Sequence, residues 1–144
     1  MRGITTEVHI AAPPDRVWAV LRDITAWGAW NPVIRIHAGT AAVGSRLKVE
    51  MTPPGMQAMR FTPTVREVQD GRELRWLGRV GLPGIFDGEH RFHLEAEGTG
   101  TRLRHSEEFR GLLVPLVMRG RMLAATREMF AVFNAKLKAR VESL

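Results

Sequence analysis

His90, His105 and Glu107 are the residues of this 144-residue chain best placed to do chemistry, because strand parity puts all three on one wall. Along Ile85 to Ala96, Phe92, Leu94 and Ala96 mark an apolar face, and His90 shares their parity. Along Thr101 to Arg110, Leu103 and Phe109 mark the face, and His105 and Glu107 share it. Folding the two runs together at Gly98-Thr99-Gly100 sets Leu94 beside Leu103, Phe92 beside His105 and His90 beside Glu107. Directly opposed residues have Cβ atoms about 5 Å apart, so a His90–Glu107 contact is expected, with His105 close by. A carboxylate beside an imidazole orients it and raises its pKa. With His90 as base and Glu107 as its partner, such a pair can move a proton at a carbonyl-bearing substrate. The same pair can instead satisfy buried polar groups, or hold a ligand's polar end without reacting. Register decides, since a slip of one residue sends the whole set to the opposite face.

Something must cover that wall. Leu116, Leu123, Thr126, Phe130, Phe133, Leu137 and Val141 follow one another mostly at steps of three and four, which is one face of an α-helix. A continuous helix over roughly Leu112 to Leu144 is therefore expected, about 40 Å from Leu116 to Val141 at about 1.5 Å per residue. Ahead of it the chain reads as strands. Ile4 to Ile10 alternates. Pro13-Pro14-Asp15 opens a short helix carrying Val17, Trp18 and Leu21. A second short helix carries Ile24, Trp27 and Trp30 and ends at Asn31-Pro32. Val33 to His37, Gly44 to Met51, Met59 to Val68 (interrupted by Pro63) and Glu73 to Val80 follow, with Asp70-Gly71 as a hairpin signal. Short turns between consecutive strands make an antiparallel sheet. The fold class is α+β, one domain over residues 1–144, with about six or seven strands and two short helices after the first.

Composition narrows the function. The chain has no cysteine, which removes disulfides, thiolate chemistry and cysteine-based zinc sites. A net charge of +6 is dispersed among acidic residues, without a run of like charges, so nucleic acid is not an expected partner. His37, His90, His93 and His105 fall on different strands or opposite faces, so no metal site is expected. There is no glycine-rich nucleotide loop and no GxSxG elbow, and no cofactor is implied. The N-terminus lacks a signal-type apolar core and no run is long enough to span a bilayer, so a cytoplasmic protein without stable membrane insertion is expected.

Pro13 to Leu21, Trp27-x-x-Trp30-Asn31-Pro32, Phe86-Asp87-Gly88-Glu89-His90-Arg91-Phe92, Thr101-Arg102-Leu103 and Glu108-Phe109-Arg110-Gly111-Leu112-Leu113 resemble the START/Bet v 1-like (SRPBCC) superfamily, and within it the bacterial polyketide cyclase/dehydrase-like branch. The resemblance covers nearly the whole chain. It implies the helix-grip fold, a curved sheet around the C-terminal helix with an internal cavity for apolar ligands. The leading expectation is a protein that binds a lipid, quinone or polyketide-like molecule. The alternatives are a cyclase or dehydratase using His90 and Glu107, and a chaperone-assisting or other protein-interaction module. The phenolic acid used by some members is missing, because the chain has no tyrosine. The expected cavity wall is Leu47, Val49, Met51, Met59, Phe61, Trp76, Phe92, Leu103, Met122, Phe130 and Phe133, with His90, His105 and Glu107 facing the ligand's polar part. Arg119, inside the helix's apolar stripe, is expected at the cavity mouth, paired with an acidic ligand group. A free sheet edge leaves room for a homodimer, and the sequence does not set the oligomeric state.

Overall fold

The computed structural model describes residues 2–144. The order is β1 (Arg2–Ile10), α1 (Pro14–Leu21), a 3-10 turn (Ile24–Ala29), β2 (Ile34–Ala38), β3 (Lys48–Met51), β4 (Met59–Phe61), β5 (Thr64–Gln69), β6 (Glu73–Arg79), β7 (Asp87–Glu97), β8 (Gly100–Arg110), α2 (Val114–Val117) and α3 (Gly120–Glu142). All strand pairs are antiparallel. The curved surface runs as two hydrogen-bonded pieces, β1-β8-β7-β6-β5 and β2-β3-β4. Pro63, which has no N–H to give a ladder, separates β4 from β5. The pieces stay joined by the Arg46–Thr64 bridge and by Leu47 N–H donating to the Pro63 carbonyl at 2.8 Å.

Local chemistry explains the elements around the site. Pro14 stands in the first turn of α1, where its missing N–H costs nothing, and Asp15 lies at the positive end of the helix. Asn31 is buried and holds the turn after Trp27 with all its polar capacity. Its amide donates to the carbonyls of Trp27 and Ile34, and its Oδ1 accepts from the N–H groups of Val33 and Ile34. The β7–β8 hairpin closes over Gly98-Thr99, where Gly98 has φ +62. Its register pairs Leu94 with Leu103, Phe92 with His105 and His90 with Glu107, the register expected from parity.

The C-terminal helix differs from expectation. It begins at Gly120 rather than near Leu112, and α2 is a separate single turn. Gly120 has φ +52 and Arg119 is extended, so the chain changes direction between the two helices. A residue without Cβ takes that left-handed conformation at little cost. The break overturns two sequence expectations: Leu116 projects into solvent instead of joining the stripe, and Arg119 is exposed beside the start of α3. Beyond the break the stripe holds, with Thr126, Phe130, Phe133, Leu137 and Val141 buried together with Ala125, Met129 and Asn134. This face packs on β1 and also meets β8 and α1.

Candidate functional site

The helix fills only part of the curved sheet. Under its middle, Phe133 lies 4.9 Å from Trp27 and 5.4 Å from Phe92 between ring centres, and Trp27 meets Phe92 edge-on at 5.3 Å. Toward its N-terminal end the sheet and helix diverge. There they leave a cavity of about 400 Å³, within the range of about 300–1,000 Å³ usual for small-molecule sites. Val49, Met51, Met59, Arg60, Phe61 and Pro63 line it from β3, β4 and the following turn. Trp76, Gly78, Gly88, Glu107 and Phe109 come from the larger sheet, Val80 and Phe86 from its β6–β7 loop, and Leu113, Val117, Met118, Met122, Thr126 and Met129 from the helical side. Val80, Leu113 and Val117 form an aliphatic rim that is open to solvent. Close to them in the chain, Leu112 (78% exposed), Leu82 (74%) and Leu116 are exposed as well. Leu112 and Leu113 are tied to the Leu82 loop through hydrogen bonds to the carbonyls of Gly84 and Ile85.

Of the expected wall, Val49, Met51, Met59, Phe61, Trp76, Glu107 and Met122 line the cavity. Leu47, Phe92, Leu103, Phe130 and Phe133 do not. They are completely buried, packed into the hydrophobic core. His90 and His105 are corrected in the same way: both rings are fully buried and neither reaches the cavity. Arg119 does not line it either. Strand parity gives the face a side chain points to, but not whether the space beyond that face is empty.

Glu107 is the acidic group on the cavity wall. Its side chain is 13% exposed, and no hydrogen bond from the described residues reaches its carboxyl. Burial pushes its pKa up to about 8, so near neutral pH it is mostly the uncharged acid. Gly88 makes room for it: a Cβ there would come within 2.5 Å of Glu107 Oε2. Glu107 Oε1 lies 3.5 Å from His90 Nδ1, beyond a hydrogen bond. The closer partner of His90 is His105, with the two Nε2 atoms 2.6 Å apart. His105 continues through Nδ1 to Asn134 Oδ1 at 2.8 Å and is stacked on Phe130, with ring centres 4.0 Å apart and planes 3° from parallel. Burial lowers the pKa of His90 to about 3 and that of His105 well below its ordinary value, the latter also through the neighbouring His90. Both imidazoles are therefore neutral at pH 7.

Two further polar side chains border the cavity. Thr126 uses its hydroxyl on the Met122 carbonyl at 2.7 Å, and Arg60 is mostly in water, 3.8 Å from Glu50. Among the described residues, no group of three or more His, Cys, Asp or Glu is placed to hold a metal ion. Sequence reasoning missed Asn134 and the two cavity glycines. Gly78 and Gly88 do carry a signal, since a glycine inside a strand marks close approach by another group.

The polyketide cyclase / dehydrase and lipid transport family model matches residues 1–142. The chain belongs to this family. Solved structures show the same fold. A START superfamily protein from Mycobacterium smegmatis has a TM-score of 0.73 and 21% identity, over 98% of this chain and 97% of that one. The Aha1 dimer from Colwellia psychrerythraea gives 0.70 and 21%, over 99% and 97%. Ara h 8.0201 gives 0.70 and 15%, over 99% of both chains. No curated protein sequence matches this chain. The long C-terminal helix on an antiparallel sheet is thus the helix-grip fold, and the family is one of hydrophobic-ligand binding in general. No helix of this member, among the described residues, is long and apolar enough to cross a membrane.

Proposed function

We propose that this protein binds an apolar or amphipathic small molecule in the cavity, with the molecule's polar end against Glu107. The observation that carries the reading is a single carboxyl, without a hydrogen-bond partner among the described residues, on an otherwise almost wholly apolar wall. A closed core would have no use for such a group, since a buried polar atom left unpaired is costly. Met51, Met59, Met118, Met122 and Met129 add a lining that adapts to irregular shapes. The aliphatic rim gives the ligand an apolar threshold, and the volume suits a lipid tail, a quinone or a polycyclic ring system.

The test blocks the space without touching the carboxyl. Gly78 lines the cavity, and a Cβ there meets only ordinary contacts, 3.7 Å to Pro63 and 3.9 Å to the Gly88 carbonyl. An environment-sensitive naphthalene dye should bind the wild type at one site and lose at least tenfold in affinity to Gly78→Phe. Equal binding by the two proteins would refute the cavity as the site. Native mass spectrometry of protein purified from its own source then gives the mass of the resident molecule.

An acid–base enzyme of cyclase or dehydratase type is the second reading, favoured by a carboxyl that titrates near physiological pH. In it Glu107, rather than His90, would touch the substrate. Conversion of the extracted molecule by wild type and not by Glu107→Gln would support it. Unchanged substrate after prolonged incubation would leave binding alone.

A further inference from the structure

The polar side chains behind Glu107 form a chain whose bonds can be followed one proton at a time. Thr6 Oγ1 donates its only proton to the His105 carbonyl, 2.9 Å away. It therefore accepts from Asn134, whose Nδ2 is 2.8 Å distant. That fixes the Asn134 amide, so Oδ1 faces His105 Nδ1 and the proton of neutral His105 sits on Nδ1. His105 Nε2 is then bare, and the 2.6 Å contact requires the proton of His90 to sit on Nε2. His90 Nδ1 is left as an unprotonated, buried atom without a partner, facing Glu107 Oε1. Burial of both rings keeps each to a single N–H.

We propose that Thr6, Asn134, His105 and His90 lock Glu107 in one orientation, Oε1–H turned toward His90 Nδ1 and Oε2 toward the cavity as an acceptor, so that the site selects ligands carrying a neutral hydroxyl. A small rotation of the carboxyl closes the 3.5 Å gap. Oε2 is already the oxygen that lies over Gly88, itself part of the cavity wall. With a ligand hydroxyl donating to Oε2, every bond from ligand to Thr6 points the same way, and bonds in such a series polarise one another. An anionic ligand has no proton to donate and would meet the acceptor oxygen. An ether or ester of the same shape leaves Oε2 unpaired. Glu107 is the group that touches ligand, and the other four are positioning residues.

The ligand class rests on the cavity reading, but the lock does not, so the first measurement uses the ligand-free protein. Nitrogen-15 spectra of the imidazole rings at pH 7 should show His90 protonated on Nε2 and His105 on Nδ1. The opposite tautomers, which need Asn134 turned over, would overturn the lock. So would an imidazolium or a mixture of tautomers at either ring. Asn134→Leu should release the fixed tautomers, whereas Asn134→Asp, which keeps the acceptor, should retain them. If the leucine variant does not fold, reversed or mixed tautomers in Asn134→Asp overturn the lock. The second measurement compares 1-naphthol with 1-methoxynaphthalene. A hydrogen bond of ordinary strength is worth up to about tenfold in affinity, so naphthol should bind about tenfold tighter to wild type. The two should bind within about twofold of each other in Glu107→Leu. Equal binding of both probes to wild type overturns the ligand class while leaving the tautomers to stand. Failure of both probes to bind overturns the cavity reading itself.

Discussion

The space under α3 is filled with side chains in one part and open in the other. Under the middle of the helix, aromatic rings interlock: Trp27, Phe92, Phe130 and Phe133 are essentially without solvent exposure and the His105 ring is stacked against both Phe92 and Phe130. Toward the N-terminal end, five methionines, three valines and two glycines share the walls with Phe61, Trp76, Phe86 and Phe109 around an open volume. The difference follows from the helix. From Phe130 to Val141 its large buried side chains fill the interval to the sheet. Its first turns, at Met122, Thr126 and Met129, border the open volume, and before Gly120 the chain changes direction into α2. The packed end carries the stability and orients the polar chain, while the hollow end supplies the room.

The sharpest way to break this comparison is to hollow the packed end. Phe133→Ala should lower stability by about 3–5 kcal/mol in chemical denaturation. Met59→Ala, on the half-buried wall of the hollow end, should cost less than about 1 kcal/mol, because no filled space is vacated. Similar losses at both sites would show that the two ends are equally packed.

Glu107 gives the next largest effect, and its sign depends on pH. The folded state holds the Glu107 proton to about pH 8, against 4.5 for an ordinary glutamate. The unfolded chain therefore binds fewer protons between these values, and stability falls as pH rises through that window. His90 acts oppositely: its pKa is lowered from 6.5 to about 3, so its contribution is present above 6.5 and is lost as pH falls toward 3. His105 shifts in the same direction as His90. Together the three groups place maximum stability near pH 6.5. Glu107→Gln should remove the decline on the alkaline side. At pH 9 it should be more stable than wild type by on the order of a few kcal/mol, with little difference at pH 4.5. Parallel melting-temperature profiles for the two proteins would remove burial of an ionisable carboxyl from the account.

Smaller effects probe the glycines. Gly88→Ala should displace Glu107 Oε2 by steric contact and lower the pKa of Glu107, seen in a carbon-13 titration of its carboxyl, at a stability cost of about 1 kcal/mol. Gly120→Ala meets no neighbouring atom, so its cost should be only that of a left-handed residue, about 1–2 kcal/mol. A larger loss would mean that the break between α2 and α3 is held by more than backbone conformation.

The sequence by itself determined which side chains share a face. Strand alternation has a period of two and the Gly98-Thr99 turn closes the hairpin, so the pairing of His90 with Glu107 and of Phe92 with His105 is legible in the residue order alone. The stripe from Thr126 to Val141 is legible for the same reason, being a local periodicity. Tertiary structure alone decided where that face is covered and where it is hollow. It separated Glu107 on the cavity wall from His90 and His105 in the core, broke the helix at Gly120, and brought Asn134 and Thr6 into reach of His105. These outcomes depend on how far rigid elements stand apart and on sub-ångström choices among polar partners. Such quantities are fixed by packing of residues distant in the chain, and no local pattern records them.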